Sequence, residues 1–217
     1  MMNKMRLFLL AGMASFLMAG CVVGPHIAHI PIYEQQGDMQ VSGSLSVWDG
    51  ASASAGVAMT DHIAMQTTAS VQPVNNIINT QTSLGYYLPF ENHTMLGIYG
   101  GFGTGNGKEH VVLAGPDGRQ SSVIDEYDNR YFLQVDYGWM RPDCWGITGR
   151  ISTGYMQREG CFFVEPALDI PSLTGPLRFD IKFSCIMLIN GSDIFPIPNA
   201  GLGVSYRFNV NKERTKQ

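Results

Sequence analysis

Four groupings of side chains carry residue types that chemistry uses, and spacing argues against a reaction at each. The run Gly101-x-Gly103-x-Gly105-x-Gly107 has the look of a phosphate cradle, but such a cradle needs a helix N-terminus behind it. Here the glycines sit in a strand pattern, where they relieve crowding in a curved sheet. His26 and His29 could share a metal, yet they stand in a proline-bearing stretch with no third ligand nearby and read as solvated. Asp117, Asp125, Glu126 and Asp128 are rich in oxygen but match no calcium loop. His110, with Glu109, Asp117, Ser121 and Ser122, has the groups of a rim acid–base site but no second histidine on its side of the layout. No catalytic residue, metal or cofactor is expected. Cys144, Cys161 and Cys185 show no Cys-x-x-Cys spacing. Cys144 and Cys161 flank a strand at its two ends, beyond disulfide reach, so both are expected free.

One cysteine does have a chemistry. Lys4 and Arg6 precede an apolar run from Leu7 to Met18, and Ala19-Gly20 precede Cys21. A cationic start, a short apolar core and small residues at the cut describe a secretory signal peptide, too short for a spanning helix. The segment resembles the bacterial lipoprotein signal, whose lipobox ends in Ala-Gly-Cys. That resemblance implies a signal peptide at 1–20 and lipidation of Cys21, and Val22 after it implies sorting to the outer membrane. Each buried acyl methylene contributes about 0.8 kcal/mol, so several chains hold a protein on a bilayer.

Loss of Lys4 and Arg6 leaves a mature chain more acidic than the formal −4 of the whole, with no basic run to displace counterions from phosphates, so nucleic acid is excluded as a partner. With 25 glycines, 20 tyrosines and phenylalanines and only 15% charged residues, the composition suits short strands and turns. Residues 21–37, with Pro25 and Pro31, read as the lipidated cysteine and a tether. From Met39 the pattern becomes strict alternation, the period-2 signature of a strand with two unlike faces. Strands are expected over Met39–Val47, Ala51–Met59, Ile63–Val71, Gln81–Phe90, Thr94–Gly103, Asp125–Met140, Trp145–Met156, Phe162–Ile170, Leu177–Ile189 and Ala200–Phe208. Residues 105–124 read as a long polar loop, and 209–217 as a polar tail. The fold expected is all-β, an antiparallel up-and-down barrel of about ten strands over 38–208, with longer connections at the end away from the chain termini.

One face of the last strands carries Leu133, Val135, Tyr137, Ile147, Ile151, Phe179, Ile181, Phe183, Leu202 and Val204. The other carries Asp136, Arg150, Glu165, Arg178, Asp180, Lys182 and Arg207, expected to form a charge network that fills the lumen and fixes register. A soluble barrel puts the apolar face inside and a membrane barrel puts it outside, and alternation alone does not choose. Aromatics gather at predicted strand ends: Phe90, Tyr137, Trp139, Trp145, Phe179, Tyr206 and Phe208 at one end, Phe102, Tyr127, Tyr155 and Phe162 at the other. Such girdles and the balanced charged face favour the membrane barrel; a lipid-tethered soluble barrel binding a small apolar ligand is the alternative.

The closing stretch Gly201-Leu202-Gly203-Val204-Ser205-Tyr206-Arg207-Phe208 resembles the last strand of outer-membrane barrels. Pro31 to Gly37, Ala58-Met59-Thr60-Asp61-His62, Arg130-Tyr131-Phe132-Leu133-Gln134 and Phe163-Val164-Glu165-Pro166-Ala167-Leu168 resemble segments of bacterial outer-membrane lipoproteins with a barrel domain, a group that implies no reaction. The resulting expectation is a lipid-anchored outer-membrane barrel with a structural or surface-interaction role. Its partners are membrane lipid, through acylated Cys21 and the barrel wall, and an extracellular partner at 105–124.

Overall fold

The computed structural model describes residues 30–47, 50–72, 77–115, 118–140, 145–157, 160–174, 176–190 and 193–210, with the backbone alone for 107–128, 140, 173–174, 193 and 195. Alternation of the kind read from Met39 onward becomes ten strands: β1 (Asp38–Ser46), β2 (Gly50–Ala58), β3 (Ile63–Gln72), β4 (Ile77–Phe90), β5 (Thr94–Gly115), β6 (Gly118–Met140), β7 (Gly146–Met156), β8 (Cys161–Thr174), β9 (Leu177–Asn190) and β10 (Asp193–Asn209). Each pairs antiparallel with its sequence neighbours, and β1 pairs with β10 from Asp38↔Asn209 to Ser46↔Gly201, which closes the barrel.

Register fixes the shape. Followed sideways from Ile194 through Ile189, Phe162, Tyr155, Tyr131, Phe102, Thr82, Thr67, Ala55 and Val41, the pairing returns to β10 at Tyr206, twelve residues from its start. A stagger of that kind tilts the strands, by about 40° in closed barrels. Pro196 and Pro198 fall where β10 pairs with β9 alone, so their missing N–H groups interrupt no second ladder.

Two expectations change. Residues 105–124 are a hairpin, not a loop, because β5 and β6 pair continuously to Gly115↔Gly118. The polar sequence hid this because alternation marks a strand only where its two faces meet different media, and a ribbon beyond the wall has like surroundings on both. β4 also starts earlier than expected, and β8 and β10 are longer. What distinguishes the end away from the termini is therefore strand length rather than connection length.

The tether also does more than link. Ile30, Pro31, Ile32 and Tyr33 are buried, and the last two pack within the barrel mouth against Ala58, Ala64, Tyr87, Met95 and Tyr99. Its signal was present in the apolar quartet, but the two prolines made it read as unstructured.

The interior is inverted relative to a soluble domain. Gln66, Gln81, Gln134, Asp136, Arg150, Glu165, Asp180 and Lys182 are buried, while Leu45, Leu133, Ile151, Phe162, Ile181 and Leu202 are exposed on the outside. Large inward side chains need room opposite, and glycines of β5 supply it: a Cβ on Gly101 would lie 2.2 Å from Phe132 Cζ. Gly101→Val should therefore overpack this level and cost about 1–3 kcal/mol. The expected readout is a lower temperature for the gel-mobility shift of the folded barrel, and an unchanged shift would contradict the packing described.

Candidate functional site

The barrel's chemistry lies in its lumen, in three levels that follow from position along each strand. At the end where β1 begins and β10 finishes sits the apolar group around Ile32 and Tyr33. At the far end Phe132, Met156, Cys161, Phe163, Ile186 and Leu188 form a second apolar cluster. Asp136 and its partners occupy the level between, because Asp136 precedes Gly138, which borders Ile32, and follows Phe132 on the same inward face of β6.

The centre is a clamp between β6 and β7, whose register sets Asp136 opposite Arg150. Arg150 donates from Nε to Asp136 Oδ1 at 2.7 Å and from Nη2 to Asp136 Oδ2 at 2.8 Å, a bidentate fork. Gln66 joins from β3: its Oε1 accepts from Arg150 Nη2 at 2.7 Å and from Gln134 Nε2 at 3.2 Å, while its Nε2 donates to Asp136 Oδ2. Polar side chains from three strands thereby satisfy one another across the lumen, as buried charge requires.

The other charged residues of the expected network stand around this clamp. Glu165 faces Arg130 at 3.8 Å, and the Arg130 guanidinium lies over the rings of Phe132 and Phe163 at 5.6 and 5.7 Å and donates to Gln81. A cavity of about 10 Å³ beside it has room for about one water. Lys182, 1% exposed, lies 3.4 Å from Asp169 and 3.9 Å from Asp180. Arg178 is buried one inward position below Asp180. Arg207 lies apart at the mouth, where it binds Asp38 at 2.7 Å and Glu34 at 3.2 Å, so it holds the incoming segment instead of joining the central group. Gln66 and Gln81 carry no sequence signal of this role, because a neutral amide on a polar face resembles any solvated residue until the strands are closed.

Backbone and side-chain bonds fasten the inserted segment. Ile32 N–H donates to Gln40 Oε1, Tyr33 N–H to Met95 Sδ, and Tyr33 Oη–H to the Met65 carbonyl, while Glu34 and Gln35 N–H groups donate to Asp38 Oδ2. Burial first, then the neighbouring Tyr99 and Asp136, push the Tyr33 phenol well above its ordinary value, so it stays a neutral donor.

The outer wall is apolar, with aromatics at two levels. Phe102, Tyr131, Tyr155 and Phe162 stand directly opposite one another across β5 to β8, with ring centroids 5.4 Å apart in the first pair and 5.2 Å in the last. Near the termini, Phe90, Tyr137, Trp145, Phe179 and Tyr206 are exposed, and Trp139 meets Trp145 edge-on at 6.2 Å. Trp139 and Tyr131 are eight residues apart on β6. At 3.3 Å per residue and a tilt of about 40°, that separates the rows by about 20 Å, close to the apolar height of a membrane barrel. The large hollow of this surface, about 950 Å³, is also outside, bordered by Leu45, Phe179, Phe183, Leu202 and Val204 around Gly43 and Gly201. An apolar ligand chamber inside a soluble barrel is incompatible with this arrangement.

Cys21, His26, His29, Asp117 and Cys144 lie outside the described residues, as do the side chains of Glu109, His110, Ser121, Ser122, Asp125, Glu126, Tyr127 and Asp128. His62 and His93 fall beside the strand ends near the termini, away from the far-end hairpin. Among the described residues no group of three metal-binding side chains occurs.

No family model and no curated protein matches the chain. Among solved structures, it is similar to the outer membrane protease OmpT from Escherichia coli at 7% identity, over 80% of this chain and 94% of that one, with a TM-score of 0.47. The NanC porin aligns at 11% identity over 78% and 100% of the two chains, TM-score 0.43. The N-terminal barrel domain of Pseudomonas aeruginosa OprF aligns at 11% over 80% and 99%, TM-score 0.39. Overlap this loose says nothing of activity, which the geometry of this chain has to decide.

Asp136→Leu leaves Arg150 buried without its carboxylate and should destabilise the barrel by about 3–5 kcal/mol, whereas Asp136→Leu with Arg150→Leu should recover part of that loss. Urea-induced loss of the folded gel band measures both, and equal stability of the single variant and the wild type would refute the clamp's importance.

Proposed function

We propose that the protein is a lipid-anchored outer-membrane barrel with a structural or surface-interaction role and no catalysis. The observation that carries this reading is the inversion of the wall: exposed aliphatic and aromatic side chains outside, paired charges within. Hydrocarbon is the medium in which that distribution is favourable, since the apolar outer residues gain by leaving water and the closure of β1 on β10 leaves no open strand edge in the wall.

The lumen supports a structural role over transport. Buried apolar clusters stand toward both ends, and the clamp between them is cross-linked by hydrogen bonds. The segment after Ile30 and the end of β10 meet at the same mouth, where Val210 N–H donates to the Gly37 carbonyl, and in an outer membrane that mouth is the periplasmic one for a protein delivered from within. From Ile30 to Cys21 is nine residues, at most about 32 Å of chain, enough to carry an acyl group from the mouth to the surrounding leaflet. The lipid then adds a second hold to a domain that already spans the bilayer.

Blocking lipidation with Cys21→Ala should abolish incorporation of radiolabelled palmitate yet leave the protein in the membrane pellet after carbonate extraction. Release of the unlipidated protein into the supernatant would sink the spanning reading. In planar bilayers the wild type should give no stepwise ion conductance; discrete, reproducible steps would sink the sealed lumen.

A further inference from the structure

Beyond the wall, β5 and β6 continue as a two-stranded arm. β4 reaches β5 only as far as Ile78↔Asn106, and β7 reaches β6 only as far as Arg130↔Met156. Residues 107–115 and 118–128 therefore have, among the described residues, only each other as strand partners, over a length of about 30 Å. A ribbon of two strands is marginal in water, and each of its outer edges presents a row of backbone N–H and C=O groups to be paired.

We propose that the outer edge of β6 in this arm pairs, antiparallel, with the same edge of a second copy of this chain standing in a facing membrane. The proposal rests on the membrane-barrel reading above. Two identical antiparallel strands related by a two-fold axis must set one residue opposite itself, because opposed residues alternate between two kinds of pair that the axis cannot interchange. That condition restricts the registers sharply. Along the β6 edge the one cation is Arg119, and the carboxylates are Asp125, Glu126 and Asp128. Centring on Ser122 sets Arg119 of each copy opposite Asp125 of the other, twice by symmetry. Glu126 or Asp128 could face Arg119 only about a centre lying between residues, which the symmetry forbids. The edge of β5 has no equivalent, since Lys108 against Glu109 would also need a centre between residues. Opposite charges placed directly across a strand pair favour that register over its neighbours.

Direction decides the setting. In one membrane all arms point the same way, so an antiparallel partner has to come from the other side, with the two barrels at opposite ends of the joined arms. The contact is thus a bridge between membranes, made by this chain with itself.

Phosphatidylcholine vesicles carrying the reconstituted protein test it, with arm orientation checked by protease cleavage at the outer surface. Wild-type vesicles should cluster, and less so at high salt. R119D vesicles and D125R vesicles should each cluster at least roughly threefold more slowly, because like charges then oppose one another at both positions. Mixing the two in different colours should restore clustering between unlike vesicles only, since every opposed pair is again of opposite sign. Asp125 also stands opposite Lys108 within the arm, and recovery on mixing separates lost pairing from a damaged arm. Wild-type vesicles that stay dispersed, single variants that cluster like wild type, or mixed vesicles that fail to recover would each overturn the proposal. A protein that will not reconstitute with its folded gel band overturns the membrane reading, and this proposal with it.

Discussion

A backbone in hydrocarbon must pair every N–H and C=O within the protein, and in this chain that requirement is met by the contact of β1 with β10. Closure leaves no strand edge in the wall and forces the tilt that the register records. It also creates a narrow interior which one face of every strand has to fill. The remaining features of the molecule answer the problem of filling it.

The interior is filled by unlike walls. β6, β7, β8 and β9 send in Asp136, Arg150, Glu165, Phe163 and Lys182, while β1 and β2 face them with Ser42, Ser44, Ser52, Ser54 and Gly56 beyond Asp38 and Gln40 at the mouth. The hydroxyls of Ser42 and Ser54, and of Ser44 and Ser52, satisfy each other at 2.6 Å and leave the space above them to the longer side chains. At the level of the clamp the long residues are charged or amide-bearing, and Asp136, Arg150 and Gln66 each find partners on another strand. The Asp136 and Arg150 fork, with Gln66 reaching across, ties β3 to β6 and β7 through the lumen rather than around the wall. A buried ion pair contributes less to net stability than to which register is allowed, because a one-residue slip would turn its charges toward lipid.

Function follows from what the filled lumen leaves over. The mouth near the termini is occupied by the segment around Ile32 and Tyr33 and is held by Arg207. Toward the far end phenylalanine, methionine and leucine pack into a second buried cluster. With the described interior committed to packing, the apolar outer wall and the arm of β5 and β6 face outward, and the proposed structural and contact role rests on them.

Residue order alone was enough to determine the strand periodicity, the strand number, the division of Asp136, Arg150, Glu165 and Lys182 from the aliphatic face, and the aromatic rows, because each depends only on side chains alternating along a strand. It also carries the resemblance of the stretch ending in Ala19-Gly20-Cys21 to a lipobox, because a motif of that kind is linear. Which face looks inward was decided by closure, since alternation is the same for a barrel and its inversion. Tertiary structure likewise decided that Ile30 to Tyr33 enter the mouth, that Arg207 pairs with Glu34 and Asp38 and not with the central charges, and that Gln66 completes the clamp. These depend on contacts between residues up to 173 positions apart, as for Arg207 and Glu34, and the chain brings them together only by going once around the barrel.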